Sequence, residues 1–367
     1  MTKKILVRFA TNRSRVADPD MFGLDFADPN HPERFVTGRI EVVQMSNLPD
    51  TGWQPDSTTL HIDGAATARA VQEEGIVAFA KAVGEPTARA NRGAAPFGIV
   101  LLHGFAATFT DGLSRAAQIC DAYGGNEVFV FSWPTRGKVN LGDYRSDQTT
   151  SEQSSAAVAD ALTKLLAFLQ GNPTRPRLQL VAHSMGARAL RFALQAILTR
   201  HPELLKSTVF EHTLLMASDE DDDGLADEAR MAPLVRLSKH IEVYHSGGDL
   251  ALALSQIING RPRIGLSGPR QMPALPDRIT SINASDVGRT QDDAGKSHFG
   301  HQYYRLSPRV ISDVVHVLSN IPPDQIPGRL GDPAEPASGR SYYLPFDENA
   351  GQMALASAES LKSTETV

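Results

Sequence analysis

From Phe97 onward, short apolar runs alternate with stretches in which apolar residues recur every three or four positions. Residues 97–102, 127–131, 178–182, 212–217 and 241–245 are five or six residues long and apolar on both faces, as strands buried between two helical layers must be. Helical spacing separates them, near 111–123, over 151–169, over 185–200 and near 226–237. This alternation predicts an α/β fold with a mostly parallel central sheet covered by helices on both faces. Sheets of that kind bind ligands beyond the carboxyl ends of their strands, so the residues after each run are where chemistry is sought.

The flanks read differently. Residues 4–10, 38–44 and 58–62 are predicted strands bounded by Pro, Gly and Asp, a helix is predicted over 65–83, and 85–96 is a proline-containing loop. Residues 1–95 are thus expected to form a β-containing N-terminal extension packed on a catalytic domain, 96–320. Beyond it, 321–367 reads as a Pro/Gly-rich C-terminal tail, partly disordered, with a loosely attached polar end. Tyr342-Tyr343-Leu344-Pro345-Phe346 interrupts that polarity and is expected to dock on the domain. No fixed-period repeat is present.

Composition narrows the function classes. A chain of 367 residues that is 41% hydrophobic and 21% charged can bury a sizeable core. The net charge is −6 and no Lys/Arg cluster occurs, which argues against nucleic acid as a partner. The lone Cys120 lies in a helical pattern and reads as a small buried hydrophobe that requires no oxidising compartment. The apolar run behind Lys3-Lys4 stops at Arg8, too short for a signal-peptide core, and no run approaches the ~20 apolar residues of a membrane span. The expected location is the cytoplasm.

Chemistry concentrates at the strand ends. The run 178–182 leads through His183-Ser184-Met185-Gly186 straight into a helix, the pattern of a nucleophile elbow that lifts a serine hydroxyl above the sheet. Ala182 stands where that motif usually has its first glycine. A serine needs an imidazole to remove its proton and a carboxylate to hold that imidazole, following it in the order serine, acid, histidine. Asp249, on the turn Ser246-Gly247-Gly248-Asp249 after the run 241–245, is the predicted acid, and it can also cap a following helix.

Asp219 and Asp221, within Asp219-Glu220-Asp221-Asp222-Asp223-Gly224, are alternative acids. That segment partly matches a calcium loop but has Arg230 where a bidentate glutamate belongs, so it reads as a solvated charge run and no metal site is expected. Two late histidines, His298 and His301, are candidate bases, whereas His183 reads as structural. The amides of Met185 and of Phe105, in His103-Gly104-Phe105, are the candidate oxyanion donors. His103, Gly104, Trp133 and Tyr144 are candidate pocket residues. Trp133 reads equally well as core, and 138–150 as a partial lid.

Taken together, Phe9-Ala10-Thr11-Asn12-Arg13, His103-Gly104-Phe105, Phe131-Ser132-Trp133-Pro134, Ala182-His183-Ser184-Met185-Gly186, Ser246-Gly247-Gly248-Asp249 and Gly300-His301-Gln302-Tyr303 resemble the bacterial α/β-hydrolase family DUF900. The marks run in order from Ile5 to about Leu318. The resemblance implies the α/β-hydrolase fold, esterase or lipase-like activity on a small-molecule ester, a Ser184, Asp249 and His301 triad, and no cofactor. Gln302 departs from the family, which usually has a smaller residue there. An acyltransferase, a lactone or thioester hydrolase with the same triad, and a catalytically silent binding protein are the alternative readings.

Overall fold

The computed structural model describes residues 2–45, 52–63, 68–85, 96–136, 141–172, 175–288, 300–335, 338–346 and 356–362. In chain order the strands are β1 (Lys4–Thr11), β2 (Arg13–Arg15), β3 (Phe22–Phe26), β4 (Val36–Gln44), β5 (Trp53–Pro55), β6 (His61–Ile62), β7 (Phe97–Leu102), β8 (Glu127–Ser132), β9 (Arg177–His183), β10 (Phe210–Met216), β11 (Ser238–His245), β12 (Ile279–Asn283), β13 (Leu330–Gly331) and β14 (Ser341–Tyr343). The helices are α1 (Ala68–Gly84), α2 (Phe109–Tyr123), α3 (Leu141–Gly171), α4 (Gly186–Arg200), α5 (Ala232–Leu237), α6 (Leu250–Asn259), α7 (Ile264–Ser267), α8 (Tyr303–Leu306) and α9 (Pro308–Leu318).

One sheet runs in the order β13-β14-β12-β11-β10-β9-β7-β8-β1-β4-β5, with β6 beside β4. Every pairing from β14 to β1 is parallel, and the edges are antiparallel. Alternate residues serve opposite layers, as the two-residue period of a strand requires. In β7, Val100 and Leu102 join a core with α1, α3 and α4, whereas Ile99 and Leu101 join one with α2 and α9. The chain steps from β7 to β8 on one side and then places β9 on the other. In sheets of this kind, ligands bind beyond the carboxyl ends of the strands at such a reversal.

Three expectations need correction. The N-terminal residues do not merely pack on the core: β1 lies inside the sheet, with Val7 and Phe9 fully buried between β8 and β4. The segment 138–150, expected as a partial lid, is from Leu141 on the first turns of the 31-residue helix α3, with Tyr144 and Asp147 buried. The stretch after 320 is not only a tail in which 342–346 docks, as expected: it adds two short strands to the sheet edge. Ser341–Tyr343 pairs with β12, Leu344 is fully buried, and the buried Arg329 grips Asp313 of α9 through two hydrogen bonds of 2.7 Å. Residues 347–355 and 363–367 lie outside the described residues.

The Asp313 carboxylate also accepts from Tyr244 at 2.5 Å. Arg329→Met leaves that carboxylate buried without its cation, which typically costs about 3–5 kcal/mol. Urea unfolding is expected to show a loss of that size. An unchanged midpoint would mean that the Arg329–Asp313 pair does not stabilise the domain.

Candidate active site

β9 ends and α4 begins around Ser184. Its φ of +54° is a left-handed value rarely taken by residues other than glycine. The turn is held there from the neighbouring strand end: the Ser184 amide donates to the Met216 carbonyl at 3.0 Å, and the Ser184 carbonyl accepts from the Asp219 amide at 3.0 Å. Glycine is required on both sides. A Cβ at Gly186 would run into the carbonyl oxygens of Leu102 and His103, and one at Gly104 would lie 2.8 Å from the Ser184 Cβ. The loop after β7 therefore packs directly against the serine. Ala182 fills the first small position with its methyl in the core.

β11 delivers Asp249, which is fully buried and caps α6. Its Oδ1 accepts from the Leu252 amide at 3.0 Å, and its Oδ2 lies 2.7 Å from His301 Nδ1. Because a carboxylate oxygen only accepts, His301 Nδ1 is the donor in this contact, which in a neutral ring leaves Nε2 as the acceptor. His301 is itself positioned by His183. The His183 Nε2 donates to the His301 carbonyl at 3.1 Å, and the two rings lie 4.8 Å apart. Burial, followed by the neighbouring His301, drives His183 well below the usual histidine range, so it is neutral. His298 falls outside the described residues.

The loop after β7 is pinned from several elements. Among the described residues neither the Phe105 nor the Met185 amide donates to a protein acceptor. By contrast, the Ala106 amide donates to Asp147 at 3.4 Å, and the Ala107 amide donates to Thr135 Oγ1 at 2.9 Å. Asp147 comes from α3 and also accepts from the Arg136 amide at 2.9 Å. Burial pushes its carboxyl up to about 6 from the ordinary 3.8. The folded state therefore holds this proton more tightly than the unfolded chain, and the group adds stability that is present below pH 3.8 and lost as pH rises through about 6. Asp147→Asn cannot titrate and lacks that gain. Its stability relative to wild type, from urea midpoints, is expected to worsen between pH 7 and pH 5; a pH-independent difference would refute the assignment.

The candidate pocket residues divide. Gly104 touches the serine, but His103 and Trp133 form a fully buried stack beneath the loop, with ring centroids 5.3 Å apart and nearly parallel planes. The Trp133 indole donates to the His103 carbonyl at 3.2 Å, so both side chains support the loop from the interior. Tyr144 meets Phe105 edge-on at 5.6 Å and places its hydroxyl 2.5 Å from Asp219 and 2.8 Å from Ser255.

The acidic run is not solvated, contrary to its polar composition. Asp219, Glu220, Asp221 and Asp222 are 2%, 3%, 7% and 8% exposed. Arg191 pairs with Glu220, Arg230, Arg261 and Arg263 converge on Asp221, and Arg270 pairs with Asp222. Arginines stand where a calcium ion would have to neutralise charge. Asp219 is committed to Tyr144 and Ser255, and the acid on His301 is Asp249.

Sequence reasoning missed two tyrosines. The Tyr303 hydroxyl donates to the Tyr244 carbonyl at 2.9 Å and accepts from the Ala217 amide at 3.1 Å, fastening the segment after His301 to the ends of β10 and β11. Tyr304 stacks on His183 at 4.3 Å. Tyr303 stood in the mark Gly300-His301-Gln302-Tyr303 without a role assigned to it, and Tyr304 had only its adjacency to that mark as a signal.

No described helix is long and apolar enough to cross a membrane. No curated protein matches the chain. A solved structure from Lactobacillus plantarum WCFS1, provisionally named a cell surface hydrolase, is similar at 12% identity and a TM-score of 0.31, over 63% of this chain and 94% of that one. The model of the family described as alpha/beta hydrolase of unknown function, DUF900, matches residues 97–319, well over half of the chain. The chain belongs to the DUF900 family of α/β-hydrolases.

Proposed function

We propose that the protein is a serine hydrolase that cleaves carboxylic esters through an acyl-enzyme. The observation that carries this reading is the buried Asp249 carboxylate held 2.7 Å from His301 Nδ1, in a segment that His183 ties to the strained Ser184 turn. Ser184 Oγ attacks the ester carbonyl carbon while His301 Nε2 takes its proton. The carbonyl oxygen becomes an oxyanion that accepts from the Phe105 and Met185 amides, and the N-terminus of α4 adds its favourable dipole. His301 then protonates the departing alcohol as the tetrahedral adduct collapses. Water, deprotonated by the same nitrogen, attacks the acyl-enzyme and restores Ser184.

Support for the oxyanion role comes from the two amides' lack of acceptors among the described residues, beside a serine that Gly104 approaches closely. The test combines p-nitrophenyl esters of short and medium chain length with a fluorophosphonate probe. Turnover of at least one ester and a probe adduct on the Ser184 peptide are expected. A folded protein that hydrolyses none of the esters and takes up no probe would overturn the proposal.

A further inference from the structure

The mark Thr11-Asn12-Arg13 has no part in the triad, yet its arginine is among the largest fully buried side chains of the protein. Arg13 opens β2, and its guanidinium reaches three places. Nε donates to Ser132 Oγ at 3.0 Å, one terminal nitrogen to the Gly23 carbonyl at 3.0 Å, and the other to the Ala107 carbonyl at 2.7 Å. Thr11 reinforces the arrangement, its hydroxyl donating to the Ser132 carbonyl at 2.7 Å.

No carboxylate among the described residues lies within ion-pair distance of this cation. Burial lowers it to about 9, with Asp147 and Asp111 offsetting only part of the penalty. A buried, unpaired arginine is costly, and costly local arrangements concentrate at functional sites.

What it grips indicates the role. Ala107 lies two residues after Phe105, and Ala106 between them has a φ of +54°. Asp147 takes the Ala106 amide, Thr135 Oγ1 both accepts from the Ala107 amide and donates to its carbonyl, and Arg13 supplies the second donor to that carbonyl. These bonds fix the three successive peptides from Phe105 to Thr108, directly after the peptide that carries the Phe105 amide.

We propose that Arg13 is a positioning residue for the Phe105 amide, acting through the Ala107 carbonyl, so that the N-terminal segment is a working part of the site. This rests on the ester hydrolase reading above. Losing an oxyanion donor outright costs about 10²–10³ in kcat; a donor left in place but poorly aimed costs less.

Arg13→Lys and Arg13→Met are compared with wild type by thermal melting, ester kinetics per mole of folded protein, and hydrogen exchange of the peptide containing residues 104–107. Expected are a fall in kcat of about 10- to 100-fold with KM within about twofold, and faster exchange in that peptide. The lysine variant, which keeps the charge and one donor, is expected to lose less, and it carries the test if the methionine variant does not fold. Wild-type kcat and wild-type loop exchange in a folded variant would overturn the proposal, as would a loss confined to melting temperature. Wild-type protein inert to every ester, with loop exchange still accelerated in the variants, would reject the hydrolase reading while supporting the tether.

Discussion

Ser184→Ala is expected to reduce ester hydrolysis by roughly three to six orders of magnitude, leaving only the residual rate that binding and oxyanion stabilisation provide. In free energy this is on the order of 4–8 kcal/mol of transition-state stabilisation. The fold should not change. Alanine keeps the Cβ that packs near Gly104 and loses only a hydroxyl, and the backbone bonds holding the left-handed turn, to Met216 and from Asp219, remain. Thermal melting should therefore match wild type while turnover and fluorophosphonate labelling both disappear. Equal rates for the two proteins would remove Ser184 from the mechanism.

Asp249→Asn should lower kcat by about four orders of magnitude, through the tautomer and not through charge alone. The carboxylate accepts from His301 Nδ1, which in the proposed mechanism leaves Nε2 free to take the serine proton. An asparagine amide can turn its NH₂ towards Nδ1 while its oxygen still caps α6 through the Leu252 amide. The ring is then stabilised with its hydrogen on Nε2, where it cannot act as a base. Because the cap survives, folding should be nearly unaffected, which separates this variant from a general collapse of the site. Activity within tenfold of wild type would show that Asp249 is not the acid, and Asp219, the earlier competitor, would have to be reconsidered despite its bonds to Tyr144 and Ser255.

Several features became visible only in three dimensions because they depend on partners far away in the chain. The acidic residues 219–222 look solvated in a linear reading, since the arginines that neutralise them come from α4 and from around residues 230, 261, 263 and 270. Trp133 gave no hint of its side until His103 was seen stacked on it. The short strand β12 escaped detection because Thr280, Ser281 and Asn283 break its apolar character, although it lies between β11 and β14. The helical start of α3, with its many polar residues, passed for a partial lid, whereas it supplies Tyr144 and Asp147 to the loop beside the serine.

By itself the sequence determined the layered α/β architecture, the positions of the parallel strand ends and the short set of groups beyond them. Those are local properties: a buried strand must be apolar on both faces, and a serine between strand and helix must sit among small residues. Tertiary structure alone decided that Asp249 meets His301 across 52 residues, that β1 enters the sheet beside β8, and that Arg13 reaches Ala107 across 94 residues. Hydrogen bonds and burial are set by distance in space, and no periodicity along the chain encodes which distant partner will occupy it.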